Sequence, residues 1–321
     1  MSIKMQIISI FIISLISTAY GRQKPPACLM QPAIFNSNSN SDSNEGRDSR
    51  IAGGLPAEHG QFPWHVHMAL HDDLGLKICS GGLINPKWVL TSGTCIVCAS
   101  SALLYLGVID RLSFDVPWMT HVTNYDHFIV HEGYDIMNYE DPFADNIGLV
   151  FMQNGGDFLL DIPNINVIHL PVDYADIDFV GFPANAAGFG ATDDPPTHSS
   201  QYLNYVEMFV MSNAECNETY VDVITENKLC TNTHGGRSTC HGDFGAPLSI
   251  SSNHQDFIIG VGSLRYFHGC TVGAPAVFTR VTKYLDWIDE KTSQEPEDVE
   301  ECVCDCVCHT CPAVDSRKLE L

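Results

Sequence analysis

His65-Val66-His67-Met68-Ala69-Leu70 sets apolar Val66, Met68 and Leu70 at every second position. A period of two marks a β-strand, because successive side chains leave opposite faces of a sheet. Gly60 and Pro63 precede the run, and Asp72, Asp73 and Gly75 follow it. The strand is therefore short and bounded by turn-forming residues. The same texture continues from Ile51 to about Lys291, with short runs punctuated by Gly, Pro, Asn and Asp. Many short strands at this spacing predict an all-β barrel or sandwich. One element departs from it. In Arg280 to Lys291, Val281, Tyr284, Leu285 and Ile288 recur at helical spacing, which predicts a closing amphipathic helix.

Around this block lie segments of other character. The chain has 321 residues, 45% hydrophobic and 17% charged, which is globular composition and excludes wholesale disorder. Residues 1–21 carry Lys4, the apolar run Ile7 to Ile16 and then Ser17-Thr18-Ala19 and Ala19-Tyr20-Gly21. Charged, apolar and small residues in that order predict a secretory signal peptide, too short to span a bilayer. Residues 22–50 include the Asn/Ser run Asn36 to Asn44, read as a flexible pro-segment ending at Arg50. Residues 292–321 form an acidic and then cysteine-rich tail.

The formal net charge is −23, from 16 Lys+Arg against 39 Asp+Glu. That balance argues against nucleic acid and anionic membrane as partners. Thirteen cysteines suit an oxidising, extracellular compartment, and the odd count leaves at least one thiol free or linked to another molecule.

Four separated motifs then line up: Arg50-Ile51-Ala52-Gly53-Gly54; Trp88-Val89-Leu90-Thr91-Ser92-Gly93-Thr94-Cys95; Asn146-Ile147-Gly148-Leu149; and Cys240-His241-Gly242-Asp243-Phe244-Gly245-Ala246-Pro247-Leu248. Together they resemble the activation site, the WVLTAAHC block, the DIAL block and the CxGDSGGPL block of the chymotrypsin/trypsin-like serine protease family. The ending Phe278-Thr279-Arg280-Val281 to Trp287-Ile288 is similar to that of its arthropod members. The resemblance covers residues 51–291. It implies two six-stranded antiparallel β-barrels, at about 51–165 and 166–280, with a cleft between them and a C-terminal α-helix.

Acyl transfer in that family needs a hydroxyl nucleophile, an imidazole base and a carboxylate that orients the imidazole. The resemblance puts Phe244 at the nucleophile position, Thr94 at the base position and Asn146 at the orienting position. None of the three has the chemistry required. Asp145 is adjacent to Asn146, but neighbours in an extended segment point to opposite faces, so it is not expected to stand in. His65, His67, His121, His131 and His241 are present, yet a base without a nucleophile is not this mechanism. The specificity pocket departs as well. Ser238 stands at its base, and Arg265 and Ala276 stand where the walls usually carry glycines. Arg265 is expected to plug or cap the pocket, or else to point to solvent.

The features of folding and switching are kept. The resemblance implies disulfides Cys79–Cys95, Cys216–Cys230 and Cys240–Cys270. It also implies cleavage between Arg50 and Ile51, after which the Ile51 ammonium pairs with Asp243. Asn217-Glu218-Thr219 is a glycosylation sequon expected in a surface loop. The remaining cysteines are Cys28, Cys98, Cys302, Cys304, Cys306, Cys308 and Cys311. The family partner position for a pro-segment cysteine is His169 here, which leaves Cys98 as the spare cysteine of the body. Cys302, Cys304, Cys306 and Cys308 alternate with other residues and, with His309 and Cys311, suit either links to other chains or a soft metal. The oxidising compartment favours disulfides and a linked oligomer.

The expected function is that of a secreted, non-catalytic serine protease homolog without cofactor. It would regulate, decoy or assist an extracellular protease cascade, with proteases, their substrates or their inhibitors as partners. Two alternatives remain open at this stage: a serine endopeptidase with residual or relocated activity, and a structural or metal-binding secreted protein acting through its cysteine-rich tail.

Overall fold

The computed structural model describes residues 54–73, 75–135, 137–138, 141, 143–192, 199–221, 223–264, 266 and 268–296. Two antiparallel sheets of seven strands each carry the fold. The first has the order β6-β5-β2-β3-β4-β8-β7. Its long members are β2 (His65–Asp72), β3 (Gly75–Asn85) and β5 (Ser101–Leu106), joined by β4 (Trp88–Thr91), β6 (Trp118–Val122), β7 (Phe128–Val130) and β8 (Gly148–Phe151). The second has the order β1-β10-β11-β14-β13-β12-β9, and a further β10–β9 pairing closes six of its strands into a barrel. These are β9 (Pro183–Gly188), β10 (Asn204–Met211), β11 (Lys228–Thr231), β12 (Pro247–Ser252), β13 (Gln255–Leu264) and β14 (Ala276–Arg280). Closure removes the exposed edges that an open sheet would leave. The seventh strand, β1 (Leu55–Pro56), comes from the N-terminal arm and pairs with β10, so the chain crosses onto the second sheet before it builds the first.

The alternation predicted for β2 is present, but both faces are covered. His65, Val66, His67 and Met68 are all buried. Met68 and Leu70 enter the core of the first sheet, whereas His65 and His67 stack on Phe189, at 5.6 and 4.8 Å between ring centroids. Phe189 directly follows β9, so the polar face of β2 is an internal face between the two halves.

The closing helix is shorter than its periodicity suggests. Arg280 still belongs to β14, Val281–Lys283 form a 3-10 turn, and the α-helix runs Leu285–Thr292. Its buried residue Ile288, with Val281 and Tyr284, packs into the core of the first sheet. The end of the chain thereby returns to the half it did not come from. A separate cluster around Phe179, Leu229, Leu248, Ile259 and Phe278 fills the second barrel.

Candidate active site

β4 ends at Thr91, and after Ser92 the one-turn helix α1 (Gly93–Ile96) begins. That turn presents Thr94 toward the segment that leads into β8. Asn146, wholly buried, answers it. Its Oδ1 accepts from the Thr94 backbone N–H at 2.8 Å and from the Thr94 hydroxyl at 3.0 Å. On its other side Nδ2 donates to Ser263 Oγ at 3.0 Å and to the Ser263 carbonyl at 3.3 Å. The Thr279 hydroxyl closes the set by donating to the Asn146 carbonyl at 2.8 Å. Ser263 and Thr279 lie on β13 and β14, so Asn146 joins the two halves through hydrogen bonds.

Tyr134 completes the centre, and nothing in its sequence neighbourhood pointed to it. Its hydroxyl lies 3.0 Å from Thr94 Oγ1. Since Thr94 spends its proton on Asn146, Tyr134 is the donor, and the chain runs Tyr134 to Thr94 to Asn146. Burial pushes the Tyr134 hydroxyl up to about 12. A phenol held that high is no base near neutral pH.

Asp145 does not stand in for a carboxylate at this centre, but the reason differs from the expected one. It is not extended: φ is +47°, in the left-handed region, and the Ile147 N–H turns back to its carbonyl at 2.8 Å. Its Oδ1 accepts from the Tyr284 hydroxyl at 2.6 Å and from Asn227 Nδ2 at 3.3 Å. A Cβ at Gly133 would fall 2.3 Å from its Oδ2, so the glycine is what leaves room for this carboxylate.

Phe244 sits in a turn whose backbone is built around glycine. Gly242 and Gly245 have φ of +94° and +78°, and a Cβ at Gly245 would land 2.2 Å from the Ser80 carbonyl. The Phe244 carbonyl accepts from the Ser80 N–H at 2.8 Å and lies 3.4 Å from Cys95 Sγ, next to Thr94. Its ring is half-buried and packs against the large core of the first sheet.

The predicted bridges Cys79–Cys95, Cys216–Cys230 and Cys240–Cys270 all form, with Cα separations of 6.2, 6.3 and 5.4 Å. A family model described as Trypsin matches residues 51–288. The chain belongs to the trypsin family. It is 34% identical to "Serine protease 1" of Drosophila melanogaster over 245 residues, 76% of this chain and 86% of that protein. Brachyurin of Leptuca pugilator is 31% identical over 258 residues, covering 77% of this chain and 100% of its own. The solved structure titled HL collagenase aligns with a TM-score of 0.65 and 28% identity, over 77% of this chain and all of that one.

In this trypsin-family chain Asp243 is held by backbone N–H groups. Asp243 is buried, and accepts from the Gly190 N–H and the Cys240 N–H, both at 2.8 Å. Gly188 and Gly190 cradle it: a Cβ on either would fall within 2.1–2.3 Å of its oxygens. Burial pushes its carboxyl up to about 7. Its expected partner Ile51, and the cleavage residue Arg50, lie outside the described residues.

Ser238 and Ala276 line one small cavity, with Tyr266, Leu264 and Pro275 among its other walls. Tyr220 backs Tyr266 edge-on at 5.8 Å and donates to the Pro275 carbonyl at 2.6 Å. Arg265 lies outside the described residues, so it has no part in this account of the pocket.

The sequon is placed differently from its expectation. Asn217 lies within the helix α2 (Asn213–Tyr220), not in a loop. Its side chain donates to the Ile224 carbonyl and accepts from the Ile224 N–H, each at 2.9 Å, and so holds the turn after the helix. Ser212 capping Glu215 N–H at 3.2 Å, a signature of a helix start, was the signal that would have found it. Of the candidate histidines, His65 and His67 face Phe189, and His131 stacks with Tyr284 and Trp287. The tail candidates Cys302, Cys304, Cys306, Cys308, His309 and Cys311 lie outside the described residues. Among the described residues no group of three or more His, Cys, Asp or Glu could hold a metal, and no helix is long and apolar enough to cross a membrane.

Proposed function

We propose that this chain is a secreted, non-catalytic member of the trypsin family that works by binding within an extracellular protease cascade. The observation that carries the reading is the content of the centre: Thr94, Asn146 and Phe244 stand where a base, a carboxylate and a nucleophile are needed. A threonine hydroxyl is far too weak a base to take a proton from a nucleophile near neutral pH, and Phe244 has no nucleophilic atom. The partners are extracellular proteases, their substrates or their inhibitors. The tail cysteines link copies of the chain through disulfides, and Asn217 carries a glycan.

The test is labelling and turnover. Protein cleaved after Arg50 is expected to take no label from a serine-directed fluorophosphonate and to hydrolyse no peptide library above background. Stoichiometric labelling would overturn the proposal. Phe244→Ser alone is expected to restore neither, because the base is missing too and the members of such a centre act as a unit.

A further inference from the structure

Seven cysteines fall within the described residues. Six of them pair among themselves. The seventh, Cys98, is also disulfide-bonded, so its partner lies outside the described residues. Six cysteines are eligible: Cys28 in the N-terminal segment and Cys302, Cys304, Cys306, Cys308 and Cys311 in the tail.

The surroundings of Cys98 choose between them. It is 5% exposed and clusters with Val97 and Tyr134, against Val130. A second sulfur that reaches it brings its own chain neighbours to an apolar surface. Cys28 is flanked by Pro25-Pro26-Ala27 and Leu29-Met30, none of them charged. Cys302 adjoins Glu301, and Cys304 and Cys306 both adjoin Asp305. Cys308 and Cys311 would draw that acidic row along with them. Pressing an unpaired carboxylate onto an apolar site is costly, and burying Leu29 and Met30 there is favourable.

We propose that Cys98 pairs with Cys28, so that residues 22–50 stay covalently attached beside the degenerate centre after the Arg50–Ile51 bond is cut. The place matters. Cys98 clusters with Tyr134, whose hydroxyl bonds Thr94, so the tether is fixed beside that centre. His169, which stands beside Leu170, is stacked on Phe257. Each thiol gives up one proton and one electron as the S–S bond forms. The two electrons and two protons reduce a disulfide of a secretory thiol–disulfide oxidoreductase to its dithiol. Cleavage adds water across the peptide bond, leaving a carboxylate on Arg50 and an ammonium on Ile51, and does not touch the bridge. A partner that engages the cleft therefore meets the retained segment together with the protease-like body. This inference does not depend on whether the centre is catalytically inert.

The experiment is a non-reducing peptide map of the full secreted chain, alkylated before digestion. The expected result is one crosslinked pair containing Cys28 and Cys98. A trypsin-like protease then cuts at Arg50, and the 22–50 fragment is expected to leave the body only on reduction. In Cys28→Ser, which alters no residue of the folded body, the fragment is expected to separate without reductant. Finding Cys98 joined to a tail cysteine or to a second copy, or release of the wild-type fragment without reductant, would overturn the proposal. The map of the unmodified chain decides the pairing even if a variant fails to fold.

Discussion

Asn146 works as a structural joint between elements. Its amide has both donors and acceptors, and it and the backbone carbonyl bond groups on three different elements: Thr94, Ser263 and Thr279. A carboxylate in its place would accept from Thr94 and Ser263 but would bring a charge into a wholly buried site with no cation described beside it. The amide satisfies the same geometry as a neutral group. Removing it leaves the Thr94 N–H and the Ser263 hydroxyl without that partner. Asn146→Ala is expected to cost about 2–4 kcal/mol, read as a lower urea midpoint at unchanged slope. An unchanged midpoint would show that water replaces the amide at no cost.

Between elements, two buried polar devices set the stability. The first is the Lys228 ammonium, which pairs with Asp141 and donates to the Val223 carbonyl at 3.0 Å. With its side chain only 3% exposed, this cation joins β11 to the loop that follows Tyr134. Asp141→Ala is expected to cost about 3 kcal/mol, because it leaves an uncompensated buried charge, and Lys228→Met in the same background should recover much of it. Thermal melting of the two variants checks both statements. The second device is the pair His65 and His67, whose Nδ1 atoms have no hydrogen-bond partner. Burial lowers their pKa values to about 3 and about 4. The folded rings stay neutral while the unfolded chain takes up protons near 6.5. Their contribution is therefore complete above pH 6.5 and lost as pH falls, by roughly 2 kcal/mol for each ring at pH 5. Asp243 acts in the opposite sense. Its raised pKa favours the fold at low pH and loses that advantage as pH rises through about 7. Two rings outweigh one carboxyl, so melting temperature is expected to drop between pH 7.5 and 5, and the drop should be smaller in His65→Gln/His67→Gln. Equal melting of the native chain at both pH values would contradict this.

Across the whole molecule, Asp243 is the point at which a cut after Arg50 would act on folding. Two backbone N–H groups hold the carboxylate, but they do not neutralise it. A new ammonium at Ile51 would supply that charge. Protein cut after Arg50 is expected to melt higher than the uncut chain, and Asp243→Ala should abolish the difference. The pair raises the folded pKa of the ammonium above its free value of about 7.7–8.0. The gain is thus present below that value and fades as pH rises through the higher folded one. Differential scanning calorimetry of cut and uncut chain at pH 7 and pH 10 checks it. Equal melting at pH 7 would mean the carboxylate has outlived its switch.

What was legible in the sequence is what local chemistry and spacing determine. The period-two runs announced strands, the apolar repeat after Arg280 announced a helix, and the three cysteine pairs followed from motif order. Each depends on residues close together in the chain or on a family pattern. The rest needed distance in space. His65 and His67 read as the polar side of a strand, and only the packing of β2 against Phe189 turns that side inward. Tyr134 carries no motif, and becomes part of the centre because its loop brings its hydroxyl to Thr94. Asp145 was judged from the rule for extended chain, whereas a left-handed turn, a Tyr284 hydroxyl and the space over Gly133 decide where its carboxylate goes. Periodicity records which side of an element differs from the other. Tertiary packing decides what each side meets, because the partners come from residues as far apart as Asn146 and Ser263, whose meeting no local spacing encodes.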